Sequence, residues 1–252
     1  MDNLCLDFPF IVHRRVLMVL SFCCFLLFCC YVLLLLFYRS GWRREGDFVC
    51  PPDFHPRTTI SVLIPARNET NHIARCLDSV LANHYPGHLY EIIVIDDFSD
   101  DDTPVIARQM LSGKNGRVLE LSDYVAAGER INAYKKKALA IAIGEAKGDL
   151  IVTTDADCIV PPGWLLYLAA LYESRGARFI AAPVSFIKKN NRLLYYFQSL
   201  DFMTMQGITA ASVNVTWVIC ATAQTWRLIK KLFLRWADMP ALTTSHQVMI
   251  CY

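Results

Sequence analysis

The segment Leu150 to Cys158 reads LIVTTDADC, and Glu91 to Asp102 reads EIIVIDDFSDDD. Each opens as an apolar, β-branched run and closes in carboxylates. The apolar part predicts a strand buried on both faces. Carboxylates at the end of such a strand are costly to bury unless a cation or a sugar hydroxyl is bound there. The same two segments therefore decide the fold and mark a candidate site.

Strand and helix patterns alternate around them. Ile60–Ile64 (ISVLI) is a strand that Pro65 is expected to stop, and Ile73, Leu77, Val80 and Leu81 fall on one helix face within Glu69–Ala82. Tyr90–Ile95 is a second strand, followed by a helix over Thr103–Leu111 with Asp102 or Thr103 as N-cap ahead of Pro104. Arg117–Leu121 is a weaker strand. A helix over Ala133–Ala146, a strand over Asp149–Thr154 and a helix over Trp164–Ser174 complete the series. The alternation predicts an α/β domain, a mostly parallel sheet between helices. Ligands of such sheets lie at the carboxyl ends of the strands, so PARNE, DDFSDDD and DADC are expected to meet in one crevice.

The N-terminus has another character. From Val16 to Tyr38 the chain runs 23 residues without a charge, Gly or Pro, and a bilayer core needs roughly 20 helical residues. The run is too long for the apolar part of a signal peptide and ends in the interfacial residues Tyr38, Arg39 and Trp42, so a single membrane-spanning helix is expected. Of ten cysteines, four lie inside that run and the rest show no metal-ligand spacing or paired framework, which suits a reducing compartment. A formal net charge of +2 makes no case for nucleic acid. The expected order is a tail (1–15), the span (16–38), a Pro-punctuated linker (39–57), the α/β domain (58–212) and a tail of different character (213–252).

Within the domain, Asp155 and Asp157 flank Ala156 at a strand end, where both carboxylates can turn toward one point. A hard divalent cation held there keeps room for diphosphate oxygens. Asp97, beside Asp96, is placed to accept hydrogen bonds from a base or ribose. Asp100, Asp101 and Asp102 are expected only to favour the start of the next helix through its dipole. After the first strand come Pro65, Arg67, Asn68 and Glu69, with Arg67 a fork of donors suited to phosphate. Lys135, Lys136 and Lys137 start a helix, where a lysine could face a diphosphate.

The segments SVLIPARNE, EIIVIDDFSDD, KKKALAIAI and LIVTTDADC resemble, in order and spacing, the motifs of family 2 glycosyltransferases, enzymes of the GT-A fold that use nucleotide sugars. The resemblance spans roughly Thr58 to Pro183. It implies that Pro65 to Glu69 and Asp97 hold the nucleoside, and that Asp155 and Asp157 hold ribose and a Mg²⁺ or Mn²⁺ ion, with Lys135 on the donor. The implied reaction is inverting transfer of a sugar from a nucleotide-diphosphate donor to the hydroxyl of a glycan or lipid-linked acceptor. Because such donors are cytosolic, the catalytic domain is expected on the cytoplasmic side of its single-pass anchor. Two other classes use similar parts. A nucleotidyltransferase would carry a Gly-rich phosphate loop after its first strand, and PARNE has no Gly. A phosphoacceptor receiver domain would have its acidic pair earlier. A membrane-tethered fragment that binds donor without transferring is the remaining alternative.

Val213 to Tyr252 departs from this family pattern, which calls for a CNGAN-like segment and an acidic general base. Reading across codon boundaries, with the last base of one codon and the first two of the next, Cys220 to Leu228 admits CNGANLAF. Trp and Met have single codons, so Trp236–Ala237 forces Gly, Met239–Pro240 forces Ala and Met249–Ile250 forces Asp, which fall on the GG, the A and the second D of the expected motifs. The segment is thus expected to be an out-of-frame tail, with the GDD carboxylate that would serve as general base displaced into another frame. Sequencing the DNA from the codon of Ala181 past that of Tyr252 is expected to reveal a second frame encoding CNGAN and GDD. A single frame with no such continuation would refute it.

Overall fold

The computed structural model describes residues 7–44, 48–125, 134–176, 180, 182–186, 193–214 and 247–250. At its centre β1 (Ile60–Ala66) pairs with β2 (Tyr90–Asp96) on one side and β4 (Leu150–Thr153) on the other. β3 (Gly116–Glu120) lies outside β2 and β5 (Gln247–Ile250) outside β4, giving the order β3-β2-β1-β4-β5 with every pair parallel. Helices α2 (Ile73–Leu81), α3 (Thr103–Leu111), α4 (Tyr134–Glu145) and α5 (Trp164–Arg175) connect or follow the strands. The path β1-β2-β3 builds outward, and β4 then returns to the other side of β1, so strand order reverses between β1 and β4. That reversal is where a doubly wound sheet opens a ligand crevice.

Alternation along the strands divides the interior in two. Ile60, Val62, Ile64 and Ala66 of β1, with Ile92, Val94, Leu150 and Val152, pack against α2, α3 and α5. Leu63, Ile93, Ile95 and Ile151 face the other way, onto Ala138, Ala142 and Ile143 of α4. Both faces of the sheet are therefore dry, which is why its strands read as continuous apolar runs.

Pro65 does not stop β1. Odd-numbered residues of β1 direct their backbone groups to β4, as in Thr154 N–H to the Leu63 carbonyl (3.1 Å), and even-numbered ones to β2, as in Asp97 N–H to the Ala66 carbonyl (2.8 Å). The β1–β4 register ends at Leu63–Thr153, so the N–H that proline lacks falls where no partner strand remains. α2 begins at Ile73 instead of Glu69, because the intervening amides bond across to the next loop. α6 spans Leu193–Asn214, and within the tail that begins at residue 213 β5 lines the edge of β4. An unpaired strand edge readily accepts a short apolar run such as QVMI.

At the amino ends of the strands lies a buried polar group that the sequence reading had placed with the acidic run. Glu91 accepts hydrogen bonds from the Ser61 hydroxyl (2.7 Å), the Lys147 amide (2.7 Å) and the Arg117 guanidinium (2.7 Å). The Ser61 hydroxyl in turn accepts the Gly148 amide at 2.8 Å. Burial pushes the Glu91 carboxyl up, but Ser61, Lys147 and Arg117 together hold it below the usual range. Glu91 is thus a structural anchor at the end of the sheet opposite the crevice.

The chain divides into two compact units, and α1 (Asp7–Arg44) and α6 belong to the one apart from the sheet. α1 extends beyond Val16–Tyr38 at both ends, and its segment Arg15–Arg43 is long and apolar enough to cross a membrane. A Cβ on Gly41 would lie 2.5 Å from the Ala211 carbonyl oxygen, so α6 approaches α1 closely only because residue 41 has no side chain.

Gly148→Ala is expected to lower the unfolding free energy by about 2 kcal/mol or more. A Cβ there would meet the Ser61 amide nitrogen at 2.4 Å and the Ile60 carbonyl carbon at 2.6 Å, backbone atoms of the central strand that cannot give way. The measurement is the urea midpoint of the full chain in detergent, and an unchanged midpoint would contradict this packing.

Candidate active site

Three loops meet at the carboxyl ends of β1, β2 and β4. The first two are stitched by backbone amides. Asn68 N–H donates to the Ser99 hydroxyl (3.0 Å), Asp100 N–H to the Asn68 side-chain oxygen (2.8 Å), and Glu69 N–H to the Thr103 hydroxyl (2.8 Å). Asp101 is the hub: it accepts the amides of Thr70 (3.2 Å) and Thr103 (3.0 Å) together with the Thr103 hydroxyl. These bonds hold its carboxyl down at about 2. Asp102 is the N-cap residue of α3 by position, yet its side chain makes no capping bond. The expectation that Asp100–Asp102 act only through the helix dipole is thus replaced by a specific one, in which Asp101 caps α3 and ties it to the loop after β1.

Asp96 and Asp97 end β2. The Ser99 amide donates to one Asp96 oxygen at 3.1 Å, but the other Asp96 oxygen and one oxygen of Asp97 are buried with no hydrogen-bond partner. Burial raises the Asp97 carboxyl above its ordinary value; the nearby Arg67 charge opposes this and Asp96 adds to it. A buried acceptor left unsatisfied costs about 1–3 kcal/mol, so this arrangement is built for something other than stability.

The D-x-D loop follows β4. Ala156 is buried, while Asp155 is half-buried and Asp157 exposed, so the apolar residue anchors the turn and both carboxylates stay on the accessible side. The backbone of Asp155 is positioned by its own carbonyl, which accepts the Cys158 amide at 3.1 Å and the Cys76 thiol at 3.6 Å. Cys76 is pushed up to about 12 by burial, reinforced by Cys158, Asp157, Asp155 and Glu69. A thiol so far from ionising is inert, a packing and hydrogen-bonding residue. Lys135 Nζ reaches the Asp155 carboxylate at 2.7 Å, bringing the start of α4 to the site. Both partners are well exposed (57% and 38%), so the pair contributes at most about 1 kcal/mol and yields easily to a competing anion or cation.

Of the residues expected at the site, Arg67, Asp97, Lys135 and Asp155 are linked through these contacts. Glu69 bonds the His72 ring (2.9 Å) and lies within electrostatic reach of Cys76, and Pro65 sits in β1 beneath the loop. Two aromatic residues were missed. The Arg67 guanidinium carbon lies 5.9 Å from the ring centroid of Tyr134, and Phe98 meets the same ring edge-on at 5.9 Å. Phe98 has φ 55, left-handed backbone. Such a conformation costs about 1–3 kcal/mol for a bulky residue, and an exposed edge-to-face pair returns only about 0.5–1.5 kcal/mol. The only signals in the sequence were their neighbours, Asp97 and Lys135.

A metal ion at Asp155 and Asp157 would find two hard oxygen donors. Among the described residues no group of three or more His, Cys, Asp or Glu side chains assembles a complete set of ligands. The donor set fits Mg²⁺ or Mn²⁺, which bind through one or two carboxylates and take their other ligands from water and phosphate.

The strand order, the dry sheet and the flanking helices define a doubly wound, parallel α/β domain with a cluster of charge at one end. The model of glycosyl transferase family 2 matches residues 61–234, well over half of the chain, and the chain belongs to that family. It is 28% identical over 131 residues to glycosyltransferase AglE of Haloferax volcanii, covering 52% of this chain and 41% of that protein. It is 30% identical over 134 residues to beta-monoglucosyldiacylglycerol synthase of Trichormus variabilis, covering 52% of this chain and 27% of the other. The chain thus spans less than half the length of these curated relatives. Among solved structures, mannosyltransferase PcManGT from Pyrobaculum calidifontis, in complex with GDP-Man and Mn²⁺, is 25% identical with a TM-score of 0.45, covering 68% of this chain and 46% of that one.

Asp101 carries a pH signature. Its folded value, about 2, lies below the ordinary 3.8, so its contribution to stability is present above the ordinary value and is lost as pH falls toward 2. Asp101→Asn is expected to flatten that acid-side loss of stability, measured as denaturation midpoints across the range. An unchanged profile would show that the carboxylate does not tie the loops.

Proposed function

We propose that the crevice binds a nucleotide-diphosphate sugar and that the family's reaction there is inverting transfer of the sugar to an acceptor hydroxyl. The supporting observation is the meeting of Asp97, Arg67 and the Lys135–Asp155 pair at the ends of three parallel strands, around buried carboxylate oxygens that lack partners. The unpartnered oxygen of Asp97 accepts an N–H or O–H of the nucleoside. Arg67 and Lys135 are cations suited to the diphosphate, and the Lys135–Asp155 pair is weak enough for Lys135 to exchange one anion for another. Asp155 and Asp157 would hold Mg²⁺ or Mn²⁺, which when bound neutralises charge on the departing diphosphate.

In the transfer itself the acceptor oxygen bonds to the anomeric carbon, and the bond from that carbon to the diphosphate oxygen breaks with its electron pair leaving on the diphosphate. The acceptor proton passes to a carboxylate base. Asp97 and the D-x-D pair are committed to the donor. The base belongs to the family's acceptor half, which we infer to be out of frame in residues 213–252. This favours a second reading, a chain that binds donor and transfers poorly or not at all. α1 serves as a single membrane anchor with the domain on the cytoplasmic side, where nucleotide sugars are made, and the acceptor is a glycan or a lipid-linked sugar.

Calorimetry on the full chain in detergent, with UDP and GDP titrated in the presence of Mn²⁺, tests this reading. Asp157→Ala is expected to weaken the nucleotide that binds by about tenfold or more, the scale of one charge-assisted contact. Because Asp97 must be ionised to accept, affinity is expected to fall as pH drops through a value above the ordinary aspartate 3.8, with Asp97→Asn removing that dependence. Absence of binding to either nucleotide would defeat the reading.

A further inference from the structure

Resting on the donor-site reading, we propose that Tyr134 and Phe98 form the wall against which the donor's nucleobase stacks. Tyr134 opens the described part of α4, directly before Lys135, and Phe98 directly follows Asp97. Each aromatic ring thus adjoins a residue already placed on the donor. Tyr134 and Phe98 are 40% and 37% exposed, and neither belongs to either apolar core of the sheet. Their rings meet at 88°, centroids 5.9 Å apart, so the residue after Asp97 touches the residue before Lys135.

Two further observations point to a flat ligand. The Arg67 guanidinium lies 5.9 Å from the Tyr134 centroid. A guanidinium and a nucleobase are both planar and both stack on aromatic faces, so Arg67 marks the ring face a base would use. Beside it, one oxygen of Asp97 is buried without a partner, in a residue only 8% exposed. A base lying on Tyr134 presents its N–H edge to such an acceptor while Arg67 turns to the diphosphate. Phe98 also holds a left-handed φ of 55, a strained conformation for a large residue that no packing in either apolar core offsets.

The test separates base from phosphate. Full-length protein in detergent with Mn²⁺ is titrated with UDP, GDP and inorganic pyrophosphate. Tyr134→Ala is expected to weaken the nucleotide by about tenfold or more while leaving pyrophosphate within about twofold, and Tyr134→Phe to bind nucleotide within about threefold of the parent. Tyr134→Leu, which keeps bulk and helix propensity without an aromatic face, is expected to behave as Tyr134→Ala. Nucleotide affinity unchanged in Tyr134→Leu, or nucleotide and pyrophosphate lost equally, would overturn the proposal, leaving Tyr134 a supporting residue. If the parent binds pyrophosphate but neither nucleotide, or nothing at all, the donor-site reading fails first and the stacking wall with it.

Discussion

The two hydrogen-bond ladders of β1 fix where the strand-end loops leave the sheet. Its even-numbered residues bond to β2 and its odd-numbered residues to β4, and the two ladders stop at different heights. The last bond on the β4 side is to Leu63, whereas on the β2 side it is to Ala66. The D-x-D loop therefore leaves the sheet earlier than the loop carrying Asp97, and the backbone beyond Leu63 has one free side. Pro65 is tolerated on that side and nowhere else nearby. A crevice between β1 and β4 follows from this mismatch and the reversal of strand order, before any side chain is considered.

The polar groups then divide by end. At the amino ends of the strands, Glu91 is satisfied by Ser61, Lys147 and Arg117, and Gly148 lies so close to Ser61 that no side chain fits. At the carboxyl ends, Asp96 and Asp97 each keep a buried oxygen without a partner. The two acidic clusters thus have opposite energetics: the first closes its hydrogen bonds within the protein, and the second leaves two buried acceptors open. At the carboxyl ends Asp101, Asn68 and Thr103 tie the loops after β1 and β2 to each other, holding the segments beside the unsatisfied acceptors in place.

Membership of glycosyl transferase family 2 gives this arrangement its chemical context, and the chain itself spans less than half the length of the AglE and beta-monoglucosyldiacylglycerol synthase relatives. In the proposed reaction Asp97, Arg67, Lys135 and the D-x-D carboxylates would serve the donor half. The proton acceptor is a different matter. In the proposed reaction a metal and the cations would act on the departing diphosphate, whereas the acceptor proton needs a carboxylate base of its own.

Several features were legible from residue order because they depend on local periodicity. These include the strands over Tyr90–Ile95 and near Asp149–Thr154, the helix Thr103–Leu111, the apolar helix around Val16–Tyr38, and the acidic strand ends. Others were not, because they depend on partners distant in sequence. Pro65 is read as a stop until the side of β1 it faces is known. Glu91 looks like part of an acidic run until Ser61 and Arg117 close over it. Asp101 looks like one of three equivalent aspartates until the amide of Thr70 selects it. Tyr134 has no pattern of its own; it gains a role only when Arg67 and Phe98 arrive from two other loops. The sequence by itself determined which segments are buried and where carboxylates would be costly, since both are properties of neighbouring residues. Only the tertiary structure decided which of those carboxylates are satisfied and which remain open, because a hydrogen bond is completed by whatever the fold places opposite.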